Sequence, residues 1–277
     1  MKRLILVVLL VGIAGIAGIV RSHSRSGSSF SWPLRVNAKT SSADVRDEIR
    51  KSFQLSPGAR VEVSGINGAV KIETSNTTTA DIYIERTADS TEALNRRKIT
   101  IEATADKLTI RGDRNEDGLL SKVFGSNPRE NVVLKLPRQV ALLTKGVNGA
   151  VRVGEIDGSV EVSGINGRVE IAQAQGSADF SGINGSVSVA LRNLSKGIEI
   201  SGINGNIELK LGDDVNADLK AHGMNGKVIS ELPSVVVDRT SHGNYTAKIG
   251  AGGTSISASG INGNIRLVRI GAEERLG

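Results

Sequence analysis

The sequence contains no cysteine, which removes disulfides, thiolate metal sites and a cysteine nucleophile from consideration. Aromatic residues are nearly as scarce: four Phe, two Tyr and one Trp in 277 residues. A core must therefore be filled by aliphatic and small side chains, and the aromatic platforms that usually cradle sugars are in short supply. Proline is held to five residues, while glycine reaches 33. Valine and isoleucine dominate the apolar set, and β-branched residues suit pleated surfaces. The composition points to an all-β chain.

The net charge of +6 is not spread evenly. Residues 1–60 carry ten Lys/Arg against three Asp/Glu, whereas the remainder carries 25 against 26. The body is neutral. Nucleic-acid recognition, which needs a clustered basic face, is not expected.

Lys2 and Arg3 precede an uncharged apolar run from Leu4 to Val20. Its length fits both a short membrane anchor and a signal-peptide core. Gly15-Ile16-Ala17 offers small residues for cleavage after Ala17, while the apolar character continues to Val20. Either way the chain is expected to be exported. It would be membrane-anchored through residues 4–20 if uncleaved, or periplasmic or at the cell surface if released. The segment 21–51 reads as a Ser-rich basic linker containing Trp32, with one short helix expected over Asp44–Phe53 behind a Ser41 or Ser42 cap.

The rest of the chain is repetitive. Ser-Gly-Ile-Asn-Gly is written out at 64–68, 163–167, 181–185, 201–205 and 259–263, with variants at 145–149 and 222–226. The motif residues Asn67, Gly68, Asn148, Gly149, Asn166, Gly167, Asn184, Gly185, Asn204, Gly205, Asn225, Gly226, Asn262 and Gly263 are the expected structural corners. From Asn148 the asparagines recur after 18, 18, 20, 21 and then 37 residues. Between them a further glycine (Gly158, Gly176) opens each Gly-x-apolar-x-apolar strand, as in Val160/Val162 and Val169/Ile171.

Asn and Gly both tolerate left-handed backbone, and stacked asparagines can hydrogen-bond along a ladder. Asn-Gly is also a hairpin signal, so an antiparallel meander competes. Because only every second turn is Asn-Gly, the whole-unit period favours a single-stranded β-solenoid (β-helix) of 18–21-residue coils, preceded by the N-terminal signal or anchor helix. An irregular β-repeat region over 52–145, in which Gly112 falls outside the register, would lead into the regular solenoid of 146–277. About ten coils at ~4.8 Å spacing would make a rod ~50 Å long. Arg266, Arg269, Glu273, Glu274 and Arg275 would cap its last coil.

The opening Leu55-Ser-Pro-Gly-Ala-Arg-Val61, the Ser-Gly-Ile-Asn-Gly units and Leu136-Pro137 together resemble the bacterial putative-adhesin repeat family, over roughly residues 52–268. The resemblance implies a signal-bearing, β-rich envelope protein and supplies no catalytic residues.

Candidate chemistry is thin. Calcium-binding nonapeptide rolls need Asp in every glycine-rich turn, and here Asp157 stands alone. Glu161, Asp179 and Glu199 would fall in one outward column, as an acid/base pair on a polysaccharide-active β-helix requires. The same positions need polar residues on any solvated face. His222 and His242 each replace the motif serine and would stack in adjacent coils, but no third metal ligand accompanies them. No Gly-x-Ser-x-Gly elbow occurs. The expectation is therefore a non-catalytic, exported cell-envelope protein acting as an adhesin-like binding or scaffold protein. No cofactor or metal is expected; an envelope protein or polysaccharide is the expected partner, and self-association is open to it. A polysaccharide-active enzyme using stacked carboxylates is the alternative.

Overall fold

The computed structural model describes residues 44–114 and 128–271. The expected anchor over 4–20 and its cleavage point lie outside them. Among the described residues no helix is long and apolar enough to cross a membrane.

In chain order the N-terminal third comprises β1 (Val45–Gln54), β2 (Arg60–Ser64), β3 (Val70–Ser75), β4 (Thr79–Ala88), the single-turn α1 (Thr91–Asn95), β5 (Arg97–Thr104), β6 (Lys107–Arg114) and β7 (Arg129–Pro137). The middle is β8 (Ala141–Lys145), β9 (Val151–Ile156), β10 (Val160–Ser163), β11 (Val169–Ala174), β12 (Ala178–Asn184), β13 (Val187–Leu191), β14 (Ile198–Asn204) and β15 (Ile207–Leu211). The last third adds β16 (Ala217–His222), β17 (Val228–Ser230), β18 (Val237–Ser241), β19 (Asn244–Ile249), β20 (Thr254–Ser259) and β21 (Ile265–Arg269). They form two mixed sheets. Sheet A has ten strands in the order β1-β4-β7-β3-β9-β11-β13-β15-β21-β17, and sheet B has eleven in the order β18-β19-β16-β20-β14-β12-β10-β8-β2-β6-β5.

Through the middle the chain alternates between sheets, and each strand pairs in parallel with the one two places on. Val160, Glu161 and Val162 stand beside Ala178, Asp179 and Phe180, and Val169 beside Val187. Alternation sends one side chain in and the next out. The inward set builds one aliphatic core between the sheets, running from Leu55 to Leu267 with Phe180 as its largest fully buried side chain.

The expected single-stranded solenoid does not form: the strands assemble into two large mixed sheets, and at both ends their order departs from a serial stack of coils. The last coil in sequence, β20–β21, is not last in space: β20 pairs in parallel with both β14 and β16, and β21 with both β15 and β17. It is inserted between two earlier coils. The N-terminal end mirrors this, with β2 between β6 and β8 and β3 between β7 and β9. Antiparallel strands then close the ends, because tight turns reverse the chain. β1 and β7 flank β4, β5 pairs with β6, and the β18–β19 hairpin lies against β16. Arg266 and Arg269 therefore belong to a strand inside sheet A and cap nothing. Gly112, placed out of register from sequence, stands directly against the motif glycine Gly65.

The helix expected over Asp44–Phe53 is the strand β1. Val45, Ile49 and Phe53 are four apart, and a spacing of four is both a helical turn and two strand periods. Pairing with β4 decides it, helped by Arg86 on Asp47 at 3.0 Å. The helix that does form, α1, begins where the Ser90 side chain accepts from the Ala93 N–H.

Candidate functional site

The motif asparagines stand in a single file. Asn148 donates through Nδ2 to Asn67 Oδ1 at 3.0 Å, Asn166 to Asn148 at 3.0 Å, Asn184 to Asn166 at 3.3 Å and Asn204 to Asn184 at 3.1 Å. The inserted coil supplies the next rung: Asn262 donates to Asn204 at 2.9 Å and Asn225 to Asn262 at 3.0 Å. All six bonds point the same way, so the ladder has a donor end at Asn67, whose Nδ2 donates to the Pro128 carbonyl at 2.8 Å.

Left-handed backbone at this corner is carried by the motif's first glycine, as at Gly164 (φ 62°). The second glycine serves close approach. A Cβ on Gly167 would stand 2.3 Å from the Gly149 carbonyl oxygen of the neighbouring coil, which is far inside contact distance. The isoleucines between them, Ile66, Ile165, Ile183, Ile203 and Ile261, are 1% exposed and line the core beside the ladder.

At the donor end lies a buried ion pair that sequence reasoning missed. Glu130 has a fully buried side chain; it accepts from Arg97 Nε at 2.6 Å and from the Asn67 N–H at 3.0 Å. Arg97 also donates to the Gly65 carbonyl. The two charges thus tie β5 and β7 to the first motif corner.

The proposed acid/base column is real as a row. Register sets Glu161 beside Asp179 and Asp179 beside Glu199, one strand spacing apart on the outer face of sheet B. Glu161 and Glu199 are exposed, Asp179 between them is half-buried with Oδ1 out of solvent and no hydrogen-bond partner among the described residues, and like charges side by side repel. His222 and His242 are not stacked. His222 faces Ser259 of β20, while His242 sits at the β18–β19 turn with Nδ1 3.1 Å from an Arg239 guanidinium nitrogen. Among the described residues no three His, Asp or Glu side chains converge to hold a metal. Asp157 is met by the Arg138 guanidinium at 3.5 Å.

The outer face of sheet A, on the opposite side, is shaped differently. A trough of about 1160 Å³ crosses it. Its floor is Gly154, Ala172 and Ala190, brought side by side on β9, β11 and β13 by the register of Val153, Ile171 and Val189. One lip is the row Arg152, Glu170, Ser188, Glu208 and Arg266. There Arg152 reaches Glu170 at 2.8 Å and Arg168 reaches the same carboxylate at 3.3 Å. Hydrogen bonding from Arg152, reinforced by Arg168, holds the Glu170 carboxyl below its ordinary value against the opposing effect of burial. On the other lip Glu155 holds Arg138 at 2.5 Å and Arg192 at 2.8 Å.

The trough carries no motif of its own. Its sequence signal is the run of small residues at outward positions where neighbouring strands place Glu73 and Lys210.

No family model matches the chain, and no curated protein matches it in sequence. Among solved structures, a putative cell adhesion protein of Clostridium sporogenes is 14% identical, with a TM-score of 0.40 over 82% of this chain and 100% of its own. A putative adhesin of Bacteroides fragilis is 11% identical, with a TM-score of 0.38 over 80% of this chain and 97% of its own. A putative lipid binding protein of Parabacteroides distasonis is 11% identical, with a TM-score of 0.27 over 81% and 95%. Similarity at this level carries neither a ligand nor a site to this chain.

Proposed function

We propose that this chain is a non-catalytic, exported protein of the cell envelope that works as an adhesin-like binding or scaffold module. The observation behind this reading is the pair of outward faces. Parallel in-register strands hold their outward side chains in rows at one strand spacing, ~4.8 Å, over a core that runs the length of the stack. A rigid surface of that kind suits an extended, repetitive partner, whose affinity is then distributed over many weak contacts. The apolar run Leu4–Val20 supports export, and a tether there would hold the stack at a membrane.

The alternative, a polysaccharide-active enzyme, rests on Glu161, Asp179 and Glu199. A glycosidase places its carboxylates on either side of the bond it cleaves, whereas these three stand in one file on the outer side of sheet B.

The test is to incubate the labelled full chain with isolated envelope fragments and measure both binding and release of reducing sugar. Saturable binding without sugar release is expected. Release of sugar that Glu161→Gln or Asp179→Asn abolishes, with folding intact, would establish the enzyme instead.

A further inference from the structure

We infer that the trough on sheet A is a binding site for a linear anionic polysaccharide, an inference that rests on the binding role proposed above and names its ligand. Seven cationic side chains and four carboxylates line the trough, and Asp157 and Glu231 reach Arg138 and Arg266 from just beyond it, so cations remain in excess. The arginines are held in pairs. Glu170 holds the two guanidinium groups of Arg152 and Arg168, and Glu155 holds those of Arg138 and Arg192. The first cluster is one acid short, whereas in the second Arg138 also meets Asp157 at 3.5 Å. A carboxylate between two arginines fixes their planes while leaving donors that can fork onto a carboxylate or sulfate.

The shape narrows the class of polymer. The two lips are three residues apart along β9, ~10 Å, and the floor between them bears hydrogen or methyl only. Along the stack this floor spans three strands, ~10 Å, between Glu73 and Lys210, which is room for a short stretch of one extended chain and no pockets for side chains. Each of β9, β11, β13 and β15 is paired on both sides, so no edge is free for a peptide to add as a strand. No aromatic residue lines the trough. That disfavours stacking of nucleobases and the ring-on-ring recognition typical of neutral sugars. What remains is a ribbon with hydroxyls and regularly spaced negative charges.

The test uses the purified full chain with polygalacturonate, dextran sulfate, uncharged dextran and poly-glutamate as probes, at two salt concentrations. Polygalacturonate or dextran sulfate should bind, more weakly at higher salt. The double variant Arg152→Ala/Arg168→Ala removes two exposed side chains and should weaken that binding about tenfold or more. Glu170→Gln should tighten it about two- to fivefold by removing a competing charge. Glu161→Gln, on the opposite face, should leave it unchanged, and circular dichroism at the assay temperature should show every variant fully folded. A gain with Glu170→Gln cannot come from damaged folding. Equal affinity for poly-glutamate would overturn the polysaccharide assignment. Indifference of polyanion binding to both trough variants would overturn the site. Dextran binding that ignores the arginines would also overturn the site, yet leave the general binding role standing.

Discussion

Removing Glu130 should be among the most damaging single changes available outside the aliphatic core. Its side chain is 0% exposed, and that of its partner Arg97 is 13% exposed. Glu130→Leu leaves the guanidinium without a counter-charge and the Asn67 N–H without an acceptor. Breaking a buried pair from one side costs about 3–5 kcal/mol. Arg97→Met, which strands the carboxylate instead, falls in the same range. The double variant removes both ions together. Its remaining losses are the Asn67 N–H acceptor and the Gly65 carbonyl donor, about 1 kcal/mol each. The double change should therefore cost about 2 kcal/mol where the singles sum to about 6–10 kcal/mol. Urea unfolding of the four chains, with slopes compared to check two-state behaviour, measures the difference. Additivity within about 0.5 kcal/mol would refute the pairing. So would a Glu130→Leu cost below about 1 kcal/mol, because a side chain so buried and so bonded cannot be replaced that cheaply.

Two further outcomes follow from the ladder and from the carboxylates. Asn184 both donates to Asn166 and accepts from Asn204, whereas Asn225 donates to Asn262. Asn184→Ala should cost about 1–2 kcal/mol and Asn225→Ala about half that, and equal midpoints in chemical denaturation would contradict a directional ladder. Glu62 is held below the ordinary carboxylate value chiefly by hydrogen bonding from Lys145, at 2.8 Å. A folded-state value below the unfolded one means that the ionised form is favoured by folding. That stability is complete above the ordinary carboxylate pKa and is lost as pH falls through the lowered value. The thermal midpoint should therefore fall on acidification below the ordinary range, less steeply in Lys145→Met, and identical profiles would count against it.

The strands could be read because Val160, Val162, Val169 and Ile171 alternate cleanly after glycines, and the ladder because its motif is verbatim. The order of the coils could not, for the same reason. When every coil offers the same Asn-Gly corner, any two corners can stack, so the motif is silent about which do. The 37 residues from Asn225 to Asn262 fit two further coils in series as well as one hairpin and a return into the stack. Val45, Ile49 and Phe53 were ambiguous because their spacing serves two periodicities, and only pairing with β4 separates them. The trough escaped notice because small residues such as Gly154, Ala172 and Ala190 look like filler until register lines them up between arginines. Glu130 and Arg97 are 33 residues apart, with nothing local to join them.

The insertion of β20–β21 has a consequence that a serial stack would not share. In a serial stack, deleting the last coil shortens the rod by one layer and leaves the rest intact, because each repeat touches only its neighbours. Here residues 254–269 separate β14 and β15 from β16 and β17, and Ile256, Ile261, Ile265 and Leu267 are at most 1% exposed. Burying those four aliphatic side chains contributes about 6–12 kcal/mol at 1.5–3 kcal/mol each, as much as the whole net stability of a typical domain. A chain ending at Ala251 therefore loses the support of β16 to β19 as well. Hydrogen exchange should show protection lost from residue 217 onward, while β8 to β13 keep theirs. If Ala217–His222 and Asn244–Ile249 stayed protected in the truncated chain, β16 would have closed onto β14 in place of β20. The inserted coil would then be an interchangeable layer, and the fold would owe its order to the sequence of synthesis and not to this particular fit.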